Sequence, residues 1–296
     1  MFISPRRKIT DRQALVTFLF AFVAFVLFNT LSLAAEPEFG VLTTTQEMRQ
    51  MPVTELAKLL RETGYRHVGA ICSAQQWPQW LEAFRTQEIR VGNVYVKTVV
   101  TTEGCNFEYP MEDLLKDLAG SNAVIMLHIH EAQSRVENAE IAKHLRPWAE
   151  KAEAAGVQLA IYPHVGFRVA KDEEALAIAR AVNHPRFGVC FNLCHFLKQH
   201  DVSELRPTLE KARSHLKLVT INGSAVGDTQ NMNWDKLIQP LDQGEFDLHG
   251  FLTTLYCELG YRGPCYVQCY GLNVPAGELL QRTQAAWRRI IPACLK

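Results

Sequence analysis

The chain has 296 residues, 48% of them apolar and 21% charged, with 31 basic residues against 31 acidic ones. That balance belongs to a globular protein, and it excludes a disordered chain, a collagenous repeat and a polytopic membrane protein. A formal net charge of zero leaves no general field to hold a phosphate backbone, so nucleic acid is not an expected partner.

In chain order, Arg6, Arg7 and Lys8 precede 20 uncharged residues from Ala14 to Leu33, and Ala34 and Ala35 follow before Glu36 and Pro37. A basic head, an apolar run and small residues describe a secretory signal. The run is long for that purpose: as a helix it would reach ~30 Å, enough to span a bilayer. Residues 1–35 are therefore expected to be a signal peptide or a retained N-terminal membrane anchor, with one domain over 36–296. The domain is expected to be exported, periplasmic or in the cell envelope, and to meet a membrane only through the uncleaved segment. All eight cysteines, from Cys72 to Cys294, follow the export segment. Cys190/Cys194 and Cys265/Cys269 are i, i+4 pairs, which on a strand lie about 13 Å apart, too far to bridge. Buried apolar cysteines are expected in preference to a disulfide framework.

From residue 50 onward, helix and strand patterns alternate. Val53–Glu62 is amphipathic and Arg66–Cys72 reads as a strand. Trp77–Thr86 is helical and Val91–Val100 is a β-rich run. Met111–Leu118 is helical and Ala123–Ile129 is a strand. Ala139–Ala155 is a longer helix that ends where Gly156 can cap it. Val157–Tyr162, Phe187–Leu193 and Leu216–Asn222 are strands, separated by helices over Glu173–Val182 and Val202–Ser214. A loop over Gly223–Asn233 leads to a short strand at Leu237–Leu241, a helix at Leu248–Leu259, a strand at Cys265–Cys269 and a closing helix at Gly277–Ile291. Repeated βα units imply a parallel sheet, and eight of them in ~260 residues predict a single (β/α)8 barrel. An open doubly wound sheet is the alternative, but no G-x-G-x-x-G or phosphate-loop motif supports a nucleotide-binding version.

Strand parity predicts which side chains face the barrel interior. Val157, Leu159 and Ile161 belong outside, with Tyr162 inside. Val219 and Ile221 go outward and Asn222 inward. Lys97, His128, His130, Asn192 and Gln268 also fall inward. These polar residues, with His164, His195 and Tyr270, cluster near the C-terminal strand ends, where barrel active sites are built. Glu103, Glu108 and Glu131 also follow strands, but solvated carboxylates are the expected outcome for them.

The segments Leu159-Ala160-Ile161-Tyr162-Pro163-His164, Gly188 through His195, Thr220-Ile221-Asn222-Gly223 and Gly260 through Pro264, with Gln268 closing the last strand, resemble the xylose isomerase-like TIM-barrel superfamily. The resemblance implies a TIM barrel that acts on sugars by isomerisation or epimerisation. In sugar epimerases of that superfamily four strand ends supply Glu, Asp, His and Glu to a divalent metal. The matching positions here read Tyr162, Asn192, Asn222 and Gln268, and the family's D-x-x-H step survives as Asn192-x-x-His195. Asn and Gln carry no charge to offset desolvation of a cation and accept no proton near neutral pH. No cofactor is expected, and binding of a divalent metal is expected to be weakened.

Two functions follow. In one, the protein still moves a proton on a sugar, with Lys97, His128, His130, His164 and His195 as acid and base candidates. Tyr162, Asn192, Asn222, Trp234, Gln268 and Tyr270 would then bind the substrate. In the other, the chemistry is lost and the barrel mouth binds a carbohydrate without turning it over. Three histidines could alternatively take a softer metal such as zinc. The specific substrate and the oligomeric state are not legible in the residues.

Overall fold

The computed structural model describes residues 36–132 and 135–295. The expected signal or anchor over 1–35 lies outside the described residues. Among the described residues, no helix is long and apolar enough to cross a membrane.

Eight parallel strands close into a barrel. They are β1 (Phe39–Leu42), β2 (His67–Ala70), β3 (Arg90–Val100), β5 (Val124–Glu131), β6 (Gln158–Ile161), β7 (Phe187–Asn192), β8 (Leu216–Ile221) and β9 (Cys265–Val267). Each pairs with the next, β9 returns to β1, and β1 to β2 to β3 completes the circuit. The short β4 (Cys105–Phe107) folds back antiparallel on the end of β3. It lies outside the eight-strand ring.

Two expectations about the strands are corrected. Leu237–Leu241 is not a strand. Trp234–Leu237 is a single helical turn, followed by an isolated antiparallel bridge between Gly223 and Gln239. The eighth strand is instead β1, only four residues long. The helix expected over Leu248–Leu259 is a short α-helix, Leu248–Leu252, that widens into a π-helix over Thr253–Glu258. The one expected at Val202–Ser214 begins as a single turn at Val202–Glu204, capped by Asp201, and continues over Leu205–Ala212. Gly156 does end the Asn138–Ala155 helix in the left-handed region, at φ 67°.

Strand parity divides two cores as the alternation requires. Val94, Val96, Leu127, Ile129, Leu159, Ile161, Val219, Ile221, Cys265 and Val267 pack outward against the helices. Leu42, Val124, Met126, Ala160, Tyr162, Cys190, Leu218 and Tyr266 fill the barrel interior. At the N-terminal end Tyr266 crosses the barrel, its hydroxyl donating to Glu38. Glycines make room for it: a Cβ on Gly92 would stand 1.8 Å from Tyr266 Oη, and one on Gly40 2.3 Å from its ring. This end is plugged, and the opposite end is left for chemistry.

The expectation of unpaired cysteines is corrected at one pair. Cys257 and Cys294, 37 residues apart, form a disulfide that ties the π-helix to the C-terminal turn. Cys190, Cys194, Cys265 and Cys269 are buried thiols. The spacing argument concerned only the i, i+4 pairs and so could not reach this long-range one.

Candidate functional site

At the C-terminal strand ends, three of the four positions matched to family metal ligands make one hydrogen-bond network. Tyr162 stands just past β6, where the following proline keeps it extended. Its backbone N–H still donates to Leu127 O at 3.0 Å. Its phenol oxygen accepts from the amide of Asn192, at the end of β7, and from Gln268 Nε2 at 3.3 Å. The amide oxygens are occupied too. Asn192 Oδ1 accepts from the Cys194 thiol at 3.1 Å, and Gln268 Oε1 accepts from Thr44 Oγ1 at 2.9 Å and from the Tyr270 N–H at 3.0 Å. Burial pushes the Tyr162 hydroxyl well above the ordinary phenol range, so it stays neutral.

Asn222, at the end of β8, is fully buried and does not join this network. Its Nδ2 donates to Gly223 O at 2.8 Å and Leu237 O at 2.6 Å, and its Oδ1 has no partner. The side chain staples the loop after β8 to the Trp234–Leu237 turn. Lys198 completes that fastening by donating to Gln230 O and Met232 O. Trp234 is thereby held 5.1 Å, centroid to centroid, from the His195 ring.

Above the network lies a cavity of about 540 Å³ lined by His164, His195, Trp234, Gln268 and Tyr270, together with Thr44, Arg49, Tyr95 and Phe167. His195 lies within the Leu193–Gln199 helix, which starts directly after Asn192, and its ring is 3.9 Å from that of His164. The backbone of Val165 contacts both imidazoles, through its C=O and its N–H. His164 Nδ1 is 2.7 Å from Val165 O, and the Val165 N–H donates to His195 Nδ1 at 3.4 Å. A carbonyl can only accept, so His164 carries its hydrogen on Nδ1. An N–H can only donate, so His195 Nδ1 is bare. In their neutral forms His164 therefore offers a bare Nε2 and His195 offers an Nε2–H. Burial lowers the pKa of both rings, and the neighbouring His164 adds to the effect on His195.

The remaining candidates take other places. His128 is buried beneath the cavity, stacked on Tyr162 at 4.9 Å. Burial first, then the nearby histidines, drive its pKa well below the ordinary imidazole value. His130 is half-buried against Phe167, 4.1 Å away, and burial and then Lys97 lower its pKa. Lys97 is exposed and lines none of the cavity. Glu131 is committed to the buried Arg168 at 2.7 Å, and Glu103 is exposed. Among the described residues, no group of three or more His, Cys, Asp or Glu is placed to hold a metal ion. The three histidines weighed for zinc are therefore not arranged as ligands.

Thr44, Arg49 and Tyr95 are lining residues that the sequence reading did not select. Thr44 and Arg49 follow β1, the strand that was missed. Tyr95 shares the inward parity of Lys97 on β3.

The chain is similar in structure to several solved barrels. A fusion of a xylose isomerase-like TIM barrel with a 4-hydroxyphenylpyruvate dioxygenase matches with 17% identity and a TM-score of 0.62, over 86% of this chain and 43% of the other. The chain thus spans less than half of that protein. D-psicose 3-epimerase from Clostridium cellulolyticum H10 matches with 13% identity and a TM-score of 0.61, over 86% and 98% of the two chains. The 3-keto-D-glucoside 4-epimerase of E. coli matches with 13% identity and a TM-score of 0.63, over 86% and 99%. At such identities the likeness establishes the fold alone. No match is found among curated proteins. The sequence pattern of the xylose isomerase-like TIM barrel family matches residues 105–290, more than half of the chain, and the protein belongs to that family.

Proposed function

We propose that this protein acts on a small carbohydrate as an isomerase or epimerase, moving a proton with its own histidines in place of a divalent metal. The observation that carries this reading is the His164–Val165–His195 arrangement, in which the backbone N–H and C=O of one residue give two neighbouring imidazoles opposite hydrogen-bonding faces.

The residues at the family's metal positions do not fit a hard cation. Such an ion needs anionic oxygens. Here two of the three amide oxygens already accept hydrogen bonds, and the Asn192 and Gln268 amide hydrogens point at Tyr162. The chemistry therefore falls to side chains. His164 Nε2 takes the proton from a carbon beside the sugar carbonyl while His195 Nε2–H, staying on its ring, donates a hydrogen bond to the carbonyl oxygen. The product of that step is an enediolate beside the His164 imidazolium. Returning the proton from His164 to the former carbonyl carbon, as the hydroxyl proton passes between the two enediolate oxygens, gives an isomer, and reprotonation of the original carbon by solvent from the opposite face gives an epimer. Gln268 and Tyr95 border the place where the sugar would lie, and Trp234 and Tyr270 offer aromatic faces for its ring. The similar structures that are sugar epimerases lend support by fold.

A second reading, a carbohydrate-binding barrel without turnover, is favoured by the closed neutral network and by the exposure of Trp234 and Tyr270. An exported location, with any membrane contact through residues 1–35, belongs to the same proposal. The Cys257–Cys294 disulfide supports it, since such bonds persist in oxidising compartments.

The test is incubation of EDTA-treated, dialysed protein with free and oxidised sugars in D2O, followed by NMR. Deuterium should enter at a carbon next to the carbonyl. Saturable binding without exchange would establish the binder instead. Exchange that vanished on chelation and returned with Mn²⁺ would overturn the metal-independent mechanism.

A further inference from the structure

Among the described residues, Arg49 is the one side chain with a permanent charge that lines the 540 Å³ cavity. It also lines an adjoining cavity of about 1110 Å³. Its backbone N–H closes a helical turn onto Thr45 O. Among the described residues its guanidinium, on an exposed residue, has no ion pair and no side-chain hydrogen bond and is free to meet a ligand. Glu47, two residues away, does not face it on the helix and instead accepts from the Ala276 N–H at 2.7 Å. Everything else around the smaller cavity is neutral, because burial keeps His164 and His195 uncharged.

Resting on the carbohydrate reading above, we infer that the substrate is a sugar acid, a carbohydrate bearing one carboxylate that Arg49 holds at the cavity rim. A guanidinium presents a planar fork that matches a carboxylate with two parallel hydrogen bonds. One cation balances one negative charge. A phosphate ester carries about −1.5 to −2, more than one guanidinium balances, and the carboxylates of the adjoining cavity add to the negative field.

The test is calorimetric titration of the full chain with D-glucuronate, D-glucose and D-glucose 6-phosphate. Glucuronate should bind at least about tenfold more tightly than glucose, equivalent to about 1.4 kcal/mol. Arg49→Gln should bring the two to parity, and Arg49→Lys should keep part of the preference. Unchanged thermal midpoints would confirm that both variants fold. Equal binding of glucose and glucuronate, a preference that survives Arg49→Gln, or tighter binding of the phosphate ester would each overturn the inference while leaving the carbohydrate reading intact. No binding of any of the three would overturn both.

Discussion

Val165 brings no side-chain chemistry to the cavity, yet its backbone sets the tautomers of the two histidines. Its carbonyl and N–H face different imidazoles, so on the proposed mechanism the proton acceptor and the hydrogen-bond donor are fixed before substrate arrives. His195→Ala should remove the donor and reduce deuterium exchange at least about 100-fold, within the range of a lost oxyanion donor. Lys97→Ala should leave exchange within about twofold, because Lys97 is solvated and lies off the cavity. NMR exchange rates for both variants check this, and a loss confined to Lys97→Ala would transfer the donor role to Lys97. The residue types were legible in the sequence, and so was the clustering of His164, His195 and Gln268 at strand ends. The tautomers were not, since they depend on the backbone orientation of one loop residue.

Among the elements, the strands whose glycines face the interior set how the barrel is filled. Gly92 on β3 and Gly40 on β1 give Tyr266 of β9 its space. Gly92→Ala should cost about 2 kcal/mol or more through overpacking, read as a lower midpoint in urea denaturation. A neutral result would mean that Tyr266 can swing aside without loss of packing. β1 is not legible in the sequence because four residues make too short a run to show a period. Leu237–Leu241 was misread for a related reason. Its apolar residues serve a turn stapled by Asn222, and a short apolar run looks the same in either role.

For the whole molecule, closure of the barrel buries ionisable groups, and this sets how stability depends on pH. His128 titrates well below the ordinary imidazole value of 6.5 in the folded protein. Below pH 6.5 the unfolded chain takes up that proton before the folded one does, so this contribution is full above 6.5 and is lost as pH falls toward the folded-state value. Asp172 works in the opposite sense. Burial, then Glu173, raises its carboxyl from 3.8 to about 7, so its contribution is present below about pH 4 and is lost as pH rises through 7. The difference between wild type and His128→Phe isolates the histidine: the variant should lose less thermal stability between pH 6.5 and 5. Equal losses would mean that His128 is not held neutral. The Cys257–Cys294 link closes a 37-residue separation, for which chain entropy predicts about 4 kcal/mol. Cys294→Ser should lower the thermal midpoint by several degrees, and a reductant should do the same to wild type but not to the variant.

Local pattern sufficed for the barrel, because alternation at period two and βα repetition are properties of neighbouring residues. It sufficed equally for the neutral character of Tyr162, Asn192, Asn222 and Gln268, since charge is a property of the side chain itself. Only the tertiary structure decided which of these four meet, that Asn222 serves a loop instead, that Cys257 finds Cys294, and that Arg49 stands unpaired beside the cavity. Each of those outcomes joins residues far apart in the chain, and their distances are set by the closing of the sheet.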